Sequence, residues 1–301
     1  MNGSAASDQS PTVALRSLDI LWFQVAGTRC NLECTHCFIS CSPHNHKFGF
    51  LSLETVRQRL EESVRWGVRE YYFTGGEPFL NPDMVPILEE TLQFGAATVL
   101  TNATVFKLDW LERLRAAEER SRYSLEFRVS IDGPSPETND PIRGIGTFDR
   151  AMRGVGLLVG QGFLPIITMT RVWEDSQDQS VLSDFRRVLK DVGYTRPRLK
   201  ILPRLKIGAE AERTEGYETF ERITPEMMSD FDTSQLVCSN SRVITDRGVA
   251  VCPILLDTPA AIMGQTLEDA MADFPLAFGA CFTCYQHGSI CTNASSKARD
   301  A

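Results

Sequence analysis

The stretch Cys30-Asn31-Leu32-Glu33-Cys34-Thr35-His36-Cys37 follows an apolar run and places three cysteines at the spacing C-x3-C-x2-C. Three thiolates hold a cubane iron–sulfur cluster but leave one iron without a protein ligand, whereas four cysteines close such a cluster into an electron carrier. The same difference separates an open catalytic zinc site from a closed structural one. The spacing therefore predicts an iron–sulfur site at which one iron can bind a further ligand.

The composition is that of a globular chain with room for one large domain and a small one. The chain has 301 residues, 43% of them apolar, which is ample for a core. A net charge of −8 argues against nucleic acid as a partner, because nucleic-acid-binding proteins usually present a basic face.

The lack of a recognisable targeting signal and the number of cysteines point to a reducing compartment. Residues 1–17 lack the apolar segment of a signal peptide, and no run reaches the length of a membrane span. We therefore expect a cytoplasmic protein without membrane attachment. There, nine cysteines indicate metal ligands rather than disulfides.

Short β-rich runs alternate with amphipathic stretches through the first two thirds of the chain. The predicted strands are Asp19–Val25, Glu70–Thr74, Ala97–Thr101, Leu125–Ile131, Leu164–Thr170 and Arg198–Leu202. The predicted helices are the stripe Leu53, Val56, Leu60 and Val64 behind an N-cap at Ser52, the stripe Phe148, Met152, Val155 and Val159 behind Thr147, and patterns near Asp83–Phe94, Lys107–Glu119 and Ser180–Asp191. Six strand–helix units are too few for an eight-stranded barrel. They predict an α/β fold with an open, partial (β/α)6 parallel barrel.

The cysteine stretch resembles the signature of the radical S-adenosylmethionine (SAM) enzymes. In that family the open iron chelates the amino and carboxylate groups of SAM, and one electron from the cluster breaks the sulfonium C–S bond. The resulting 5′-deoxyadenosyl radical takes a hydrogen atom from the substrate. The resemblance implies a 4Fe–4S cluster on Cys30, Cys34 and Cys37, SAM as a second cofactor, and an external one-electron donor such as flavodoxin or ferredoxin.

Two strand ends carry motifs similar to this family's SAM-binding segments. Thr74-Gly75-Gly76-Glu77-Pro78, alone an ordinary turn, resembles the motif for the methionine part of SAM and implies cofactor contacts for Gly75, Gly76 and Glu77. Thr101-Asn102-Ala103 is similar to the family's Thr-Asn-Gly, with alanine in place of glycine, and implies a polar pair of Thr101 and Asn102. Ligands of parallel α/β folds bind at these carboxyl ends of strands.

The fourth strand ends in Ser130-Ile131-Asp132-Gly133-Pro134, with Arg143 following. This resembles the segment that contacts the ribose and methionine of SAM, and it implies binding roles for Ser130, Asp132 and Arg143. Asn139-Asp140 stands where the same branch often has His-Asp. The alternative for Ser130 and Asp132 is simple turn capping, because Asp-Gly-Pro forms a good turn by itself.

Residues around the first cysteines leave two questions open. His36 stands where many members carry an aromatic residue, which implies packing on adenine or shielding of the cluster. Cys41, with His44 and His46, is either part of a loop over the cluster or the remnant of a zinc site. As a fourth cluster ligand, Cys41 would close the site and abolish SAM binding.

A second group of cysteines lies near the carboxyl end. Cys238 and Cys252 flank a β-hairpin pattern with its turn near Asp246–Gly248, and Cys281, Cys284 and Cys291 follow. A hairpin pair plus a C-x2-C fits structural zinc as well as iron–sulfur.

Behind a radical SAM core this pattern resembles the auxiliary-cluster domains called SPASM and, in a shorter form, twitch. The resemblance implies a second 4Fe–4S cluster on Cys238, Cys252, Cys281 and Cys284, with Cys291 spare or substituting for one of them. The stretch from Met263 to Ala270 resembles the linker helix of such domains.

These patterns divide the chain into four parts. We expect a disordered tail over residues 1–15, a radical SAM core over 16–209, a linker over 210–237 and a small cysteine-rich β-hairpin and helix domain for the auxiliary cluster over 238–301.

The predicted activity is that of a radical SAM oxidoreductase. An auxiliary cluster can accept an electron from a substrate radical, which favours a two-electron oxidation or bond formation over isomerisation. Peptide maturases often carry a recognition domain ahead of the core, and the tail here is short, which favours a small-molecule or short-peptide substrate. The alternatives are a SPASM-type peptide or protein maturase and, in another class, a zinc-binding or electron-carrier protein without SAM chemistry. No catalytic acid or base is predicted.

Overall fold

The structure is a computed structural model that describes residues 10–293. Its strands are β1 (Thr12–Val13), β2 (Ile20–Gln24), β3 (Glu70–Thr74), β4 (Ala96–Thr101), β5 (Leu125–Ser130), β6 (Ile166–Thr170), β7 (Arg198–Leu202), β8 (Ser241–Thr245), β9 (Gly248–Ala250), β10 (Ile262–Gly264) and β11 (Phe274–Pro275). Its helices are α1 (Leu53–Val64), α2 (Met84–Thr91), α3 (Leu108–Arg120), α4 (Pro136–Arg143), α5 (Thr147–Gly160), α6 (Asp178–Asp191), α7 (Ala209–Thr214), α8 (Pro225–Met228) and α9 (Gly279–His287).

The main sheet has the strand order β10-β9-β8-β2-β3-β4-β5-β6-β7. Strands β2 to β7 are parallel neighbours in chain order, which confirms the predicted barrel-type sheet. Two strands, β3 and β7, begin and end at the predicted residues. Crossover helices follow most of these strands, because parallel strands cannot be joined by tight turns.

Helix α1 illustrates how the sequence specifies the outer layer. The Ser52 hydroxyl accepts a hydrogen bond from the amide of Thr55, so the predicted N-cap is confirmed. Val56 and Leu60 are fully buried, whereas Val64, at the end of the stripe, is 61% exposed. Burial of a side chain such as Leu60 contributes about 2 kcal/mol to folding.

The two faces of the sheet differ because successive side chains of a strand point in opposite directions. Leu21, Tyr71 and Phe127 pack into the large core shared with the helices. Trp22 and Tyr72 point to the other face, where their rings stack with centroids 4.4 Å apart. This inner face borders two of the cavities described below.

The C-terminal part continues the barrel sheet. Strand β8 pairs in parallel with β2, and the predicted hairpin is confirmed as β8 and β9, with residues 246–247 between them. The linker helix implied for Met263–Ala270 is wrong, because residues 262–264 form β10 and only Asp269–Met271 make a short 3-10 turn.

The predicted disordered tail needs a correction in its second half. Thr12 and Val13 form β1, which pairs with β11, and Val13 is buried. Residues 1–9 of that prediction, and residues 294–301 of the predicted auxiliary-cluster domain, lie outside the described residues.

Candidate active site

The loop after β2 brings Cys30, Cys34 and Cys37 to one cavity of about 930 Å³. The backbone fixes this loop at both ends: the amide of Cys30 donates to the carbonyl of Ser42 (3.2 Å), and that of Cys37 donates to the carbonyl of Cys34 (3.1 Å). The trio predicted from the spacing therefore opens onto a common space.

Burial governs the protonation of these thiols. It raises the pKa of Cys30 to about 12 and that of Cys34 to about 11. The pKa of Cys37 is lowered instead, because the thiol and the amide of Cys41 donate hydrogen bonds to its sulfur. Bound metal ions keep cysteine in the thiolate form. The positive charge of a cluster's irons would therefore balance the negative charge of these three thiolates.

The turn after β3 is docked onto the cysteine loop. The amides of Gly76 and Glu77 donate to the carbonyls of Gly27 and Arg29, at 3.0 and 2.9 Å. A Cβ atom on Gly76 would lie 2.0 Å from the Arg29 carbonyl oxygen, so only glycine permits this approach. Gly75 and Gly76 both line the cavity.

Glu77 lies behind the cavity wall rather than in it. Its buried carboxylate accepts hydrogen bonds from the amide of Asn102 and the hydroxyl of Thr101, both at 2.8 Å, and from the amide of Phe79 at 3.1 Å. Burial raises the pKa of Glu77 to about 7, against the effect of these donors. The geometry thus makes Glu77 the support of the next strand end, and its implied contact with SAM stays a prediction.

Asn102, at the end of β4, reaches the cysteine loop. Its side-chain nitrogen lies 3.8 Å from the Cys30 sulfur and 3.0 Å from the Asn31 side-chain oxygen. Ala103 has a φ of +57°, the left-handed conformation that the family's glycine would adopt without strain. The turn that follows Thr101 and Asn102 therefore forms although alanine replaces the family's glycine.

Three ionisable side chains meet at the end of β5. Asp132 Oδ2 lies 2.6 Å from His36 Nε2 and 2.5 Å from Arg143 Nε, and Asp132 Oδ1 accepts the amide of Thr170. Burial alone would raise the pKa of Asp132, but Arg143 and His36 bring it far below its usual range. Asn139 completes the support by accepting the Asp132 amide at 3.0 Å.

A profile of the Radical SAM superfamily matches residues 25–175, half of the chain. The chain belongs to the radical SAM superfamily. Members of this superfamily use a 4Fe–4S cluster together with SAM.

Three relatives illustrate the likeness. The antilisterial bacteriocin subtilosin biosynthesis protein AlbA of Bacillus subtilis is 28% identical over 55% of this chain and 35% of its own length. The AdoMet-dependent heme synthase of Methanosarcina barkeri is 34% identical over 46% of this chain and 38% of its own. The chain therefore spans little more than a third of these curated relatives.

The third relative is a solved structure. Streptococcus suis SuiB bound to S-adenosylmethionine has a TM-score of 0.62 at 17% identity and covers 91% of this chain and 71% of its own. At this identity the likeness concerns the fold alone: the partial barrel of this radical SAM protein resembles that of a solved structure.

The cavity wall contains most of the SAM-binding residues expected from the sequence. Beside the three cysteines they are His36, Gly75, Gly76, Thr101, Asn102, Ser130 and Arg143. Glu77 and Asp132 stand behind this wall. Sequence reasoning did not select Thr168, Thr170 or Arg128, which also line it. The signal that could have identified Arg128 is the alternation of side chains along a strand, because residues two positions apart, such as Arg128 and Ser130, lie on the same face.

Cys41 is a further member of this wall that the sequence left open. It is buried, lines the cavity, and donates to Cys37. His46, its suggested zinc partner, accepts a hydrogen bond from Arg29 Nε at 2.9 Å instead.

The second cysteine group surrounds an apolar cavity of about 350 Å³. Cys238, Cys252, Cys281 and Cys284 line it together with aliphatic and aromatic side chains. All four are buried, and burial raises the pKa of each. Cys291 lines a different cavity, on the inner face of the barrel sheet. Cys291 nevertheless packs against the hydrophobic cluster that contains the four thiols, and it lies close enough to Cys252 and Cys284 to interact with them electrostatically.

Two further properties of residues 10–293 concern metal binding and membrane insertion. No group of three or more His, Cys, Asp or Glu side chains there is placed to hold a single metal ion. No helix in that range combines the length and the apolar character that crossing a membrane requires.

Proposed function

We propose that this protein is a radical SAM oxidoreductase whose first cluster is held by Cys30, Cys34 and Cys37. The observation that carries the proposal is the convergence of this trio with three strand-end motifs on one cavity. A closed electron-carrier site would have no use for those motifs. When bound, the cluster and SAM supply a 5′-deoxyadenosyl radical that abstracts a hydrogen atom from the substrate.

We assign the placement of SAM to residues of the cavity wall. Gly75, Gly76, Asn102 and Ser130 present backbone and small polar groups to it, and Arg143 offers a cation. Asp132 orients His36 through a hydrogen bond and Arg143 through an ion pair, so the imidazole and the guanidinium are already ordered before SAM binds. Phe38, Leu100 and Leu202 give the cavity an apolar side that excludes water.

The second cysteine group is proposed to hold an auxiliary 4Fe–4S cluster. Support comes from the cavity that Cys238, Cys252, Cys281 and Cys284 surround, which suits a group larger than one ion. An electron acceptor there favours a net two-electron oxidation or bond formation on the substrate. Zinc in the same cavity is the second candidate, because four thiolates are also its preferred ligands. The division into a core over 16–209, a linker over 210–237 and an auxiliary-cluster part from 238 belongs to this proposal.

We propose a peptide as the substrate, and a small molecule as the second candidate. The names of the relatives support both: SuiB has been solved with its precursor peptide, and AlbA takes part in the biosynthesis of a bacteriocin, whereas another relative is a heme synthase. An external one-electron donor such as flavodoxin or ferredoxin would reduce the first cluster.

The proposal is tested on anaerobically reconstituted protein. We expect about eight irons and eight sulfides per chain, two cubanes, together with little zinc. Dithionite and SAM should yield 5′-deoxyadenosine, and SAM should change the electron paramagnetic resonance signal of the first cluster. Cys37→Ala should abolish 5′-deoxyadenosine formation while the protein stays folded. Normal formation in that variant, or a signal that ignores SAM, would refute the assignment.

A further inference from the structure

Arg128 lies in the middle of β5 with its side chain on the inner face of the barrel sheet. The residue is only 2% exposed, yet it lines both the cavity under the cysteine loop and a second one of about 640 Å³. The two cavities share seven lining residues, His36, Thr74 and Arg128 among them, so they adjoin each other. Arg128 marks the place where the candidate SAM site passes into the barrel interior.

The guanidinium of Arg128 is incompletely satisfied. Nη1 donates to the backbone carbonyl of Cys291 and, at 3.5 Å, to that of Thr292. Nε is buried and has no hydrogen-bond partner. Within residues 10–293, Arg128 forms no ion pair, and the carboxylate of Glu126 is taken up by Arg198 at 2.8 Å. A buried cation without an anion is costly, so an anionic partner is expected.

A second basic side chain lies close to Arg128. Lys200 Nζ donates to the carbonyl of Thr292 at 2.5 Å, close to the groups that Arg128 contacts. Burial, and then the nearby charge of Arg128, lower the pKa of Lys200 to about 8. The backbone carbonyls that Arg128 contacts carry no net charge, so they do not neutralise its guanidinium.

We propose that Arg128 binds a carboxylate of the substrate inside the barrel and thereby holds the substrate below the SAM site. The inference rests on the proposed function, since it names a feature of the substrate of that same cavity. Trp22, Phe38 and Leu202 line the space around Arg128. The preferred ligand is therefore an acid with an apolar body: a peptide with a terminal carboxylate, or one with an acidic side chain beside an apolar one.

Two matched probe pairs test the proposal and distinguish these sources. The first pair is N-acetyl-phenylalanine and its amide, which differ only in a terminal carboxylate. The second is N-acetyl-Phe-Glu-amide and N-acetyl-Phe-Gln-amide, which differ only in a side-chain carboxylate. Affinities are measured by calorimetry on anaerobic holoenzyme with SAM present, for wild type, Arg128→Gln, Arg128→Lys and Arg187→Gln. Arg187 is a matched control, because it pairs with Asp184 on the outer surface of α6.

We expect wild type to bind the acid of at least one pair about tenfold or more tightly than the neutral partner, the size of a charge-assisted hydrogen bond. Arg128→Gln should remove this preference, Arg128→Lys should retain part of it, and Arg187→Gln should retain all of it. Equal affinities in both pairs for the wild-type enzyme, or a preference that survives Arg128→Gln, would overturn the proposal. The wild-type comparison is decisive even where a variant folds poorly.

The result is separable from the fate of the proposed function. Formation of 5′-deoxyadenosine by the wild-type preparation tests the SAM chemistry, whereas the acid preference tests Arg128. If Arg128→Gln shifts the reduction potential of the auxiliary cluster and leaves the acid preference intact, Arg128 serves that cluster and the carboxylate proposal is wrong.

Discussion

His36 Nε2 and Asp132 Oδ2 lie 2.6 Å apart, although 95 residues separate them in the sequence and one belongs to the cysteine loop and the other to the end of β5. The same carboxylate oxygen lies 2.5 Å from Arg143. One buried acid therefore ties the loop that carries the cysteines to the rim of the barrel.

Asp132→Asn should loosen this connection. The substitution keeps size but leaves the guanidinium of Arg143 buried without its anion, which costs about 3 kcal/mol in comparable pairs. We expect a lower free energy of unfolding for the apoprotein in urea, and at least about a tenfold loss of SAM affinity in the holoenzyme. Asp184→Asn, which removes a surface carboxylate paired with Arg187, is the control and should change neither quantity. Unchanged SAM affinity in Asp132→Asn would show that Arg143 does not depend on this partner.

Glu77 should give the apoprotein a recognisable pH dependence. Burial raises its pKa from 4.5 to about 7 in the folded protein. Between these two values the unfolded chain releases a proton that the folded chain retains, so the free energy of unfolding falls as the pH rises from 4.5 to 7. Its contribution to that fall is about 3 kcal/mol, since one pKa unit corresponds to about 1.4 kcal/mol.

Glu77→Gln should flatten the stability profile over this range, measured by urea unfolding at pH 5, 6, 7 and 8. The Gln side chain cannot titrate, although it loses one of the three accepted hydrogen bonds. A profile as steep as that of wild type would assign the pH dependence to other groups.

Cys41 decides whether the first cluster is open. If Cys41 is only a hydrogen-bond donor to Cys37, Cys41→Ser should retain the iron content and form 5′-deoxyadenosine at a rate within about threefold of wild type, because a hydroxyl can still donate. Quantification of 5′-deoxyadenosine after dithionite reduction gives the answer. A variant that cleaves SAM much faster than wild type would instead identify Cys41 as a fourth ligand that blocks the site.

The auxiliary cysteines should separate SAM cleavage from product formation. Replacing Cys281 and Cys284 together by alanine should remove about four irons per chain and leave 5′-deoxyadenosine formation in place. Cys291→Ser is the matched control, since Cys291 lies outside the four-thiol cavity, and it should keep about eight irons. Loss of four irons in Cys291→Ser would make this residue a ligand. Release of zinc from the wild-type protein by a chelator would show that the second site holds a structural metal ion and not a cluster.

The sequence predicted the repetitive part of the fold well because its signals are local. The apolar stripe of α1, its cap at Ser52 and the strand from Glu70 to Thr74 all depend on residues a few positions apart. The cysteine trio and the strand-end motifs also follow from short spacings. Parallel topology then brings them to one rim without further information.

The remainder depends on contacts between distant segments. Nothing in the spacing of residues 241–245 indicates that β8 pairs with β2, or that Thr12 and Val13 pair with β11. The supporting role of Glu77 could not be read from its motif either, because the direction of its carboxylate is set by the turn at Thr101 and Asn102.

The pairing of β8 with β2 has a consequence for any attempt to shorten the protein. A fragment that stops before Ser241 would turn β2 into a bare edge, with every one of its five residues normally buried. Exposed apolar edge strands pair with strands of other chains, which leads to aggregation. The cysteine loop springs from this same strand, so the amino-terminal portion is not a module that can be excised and keep its chemistry.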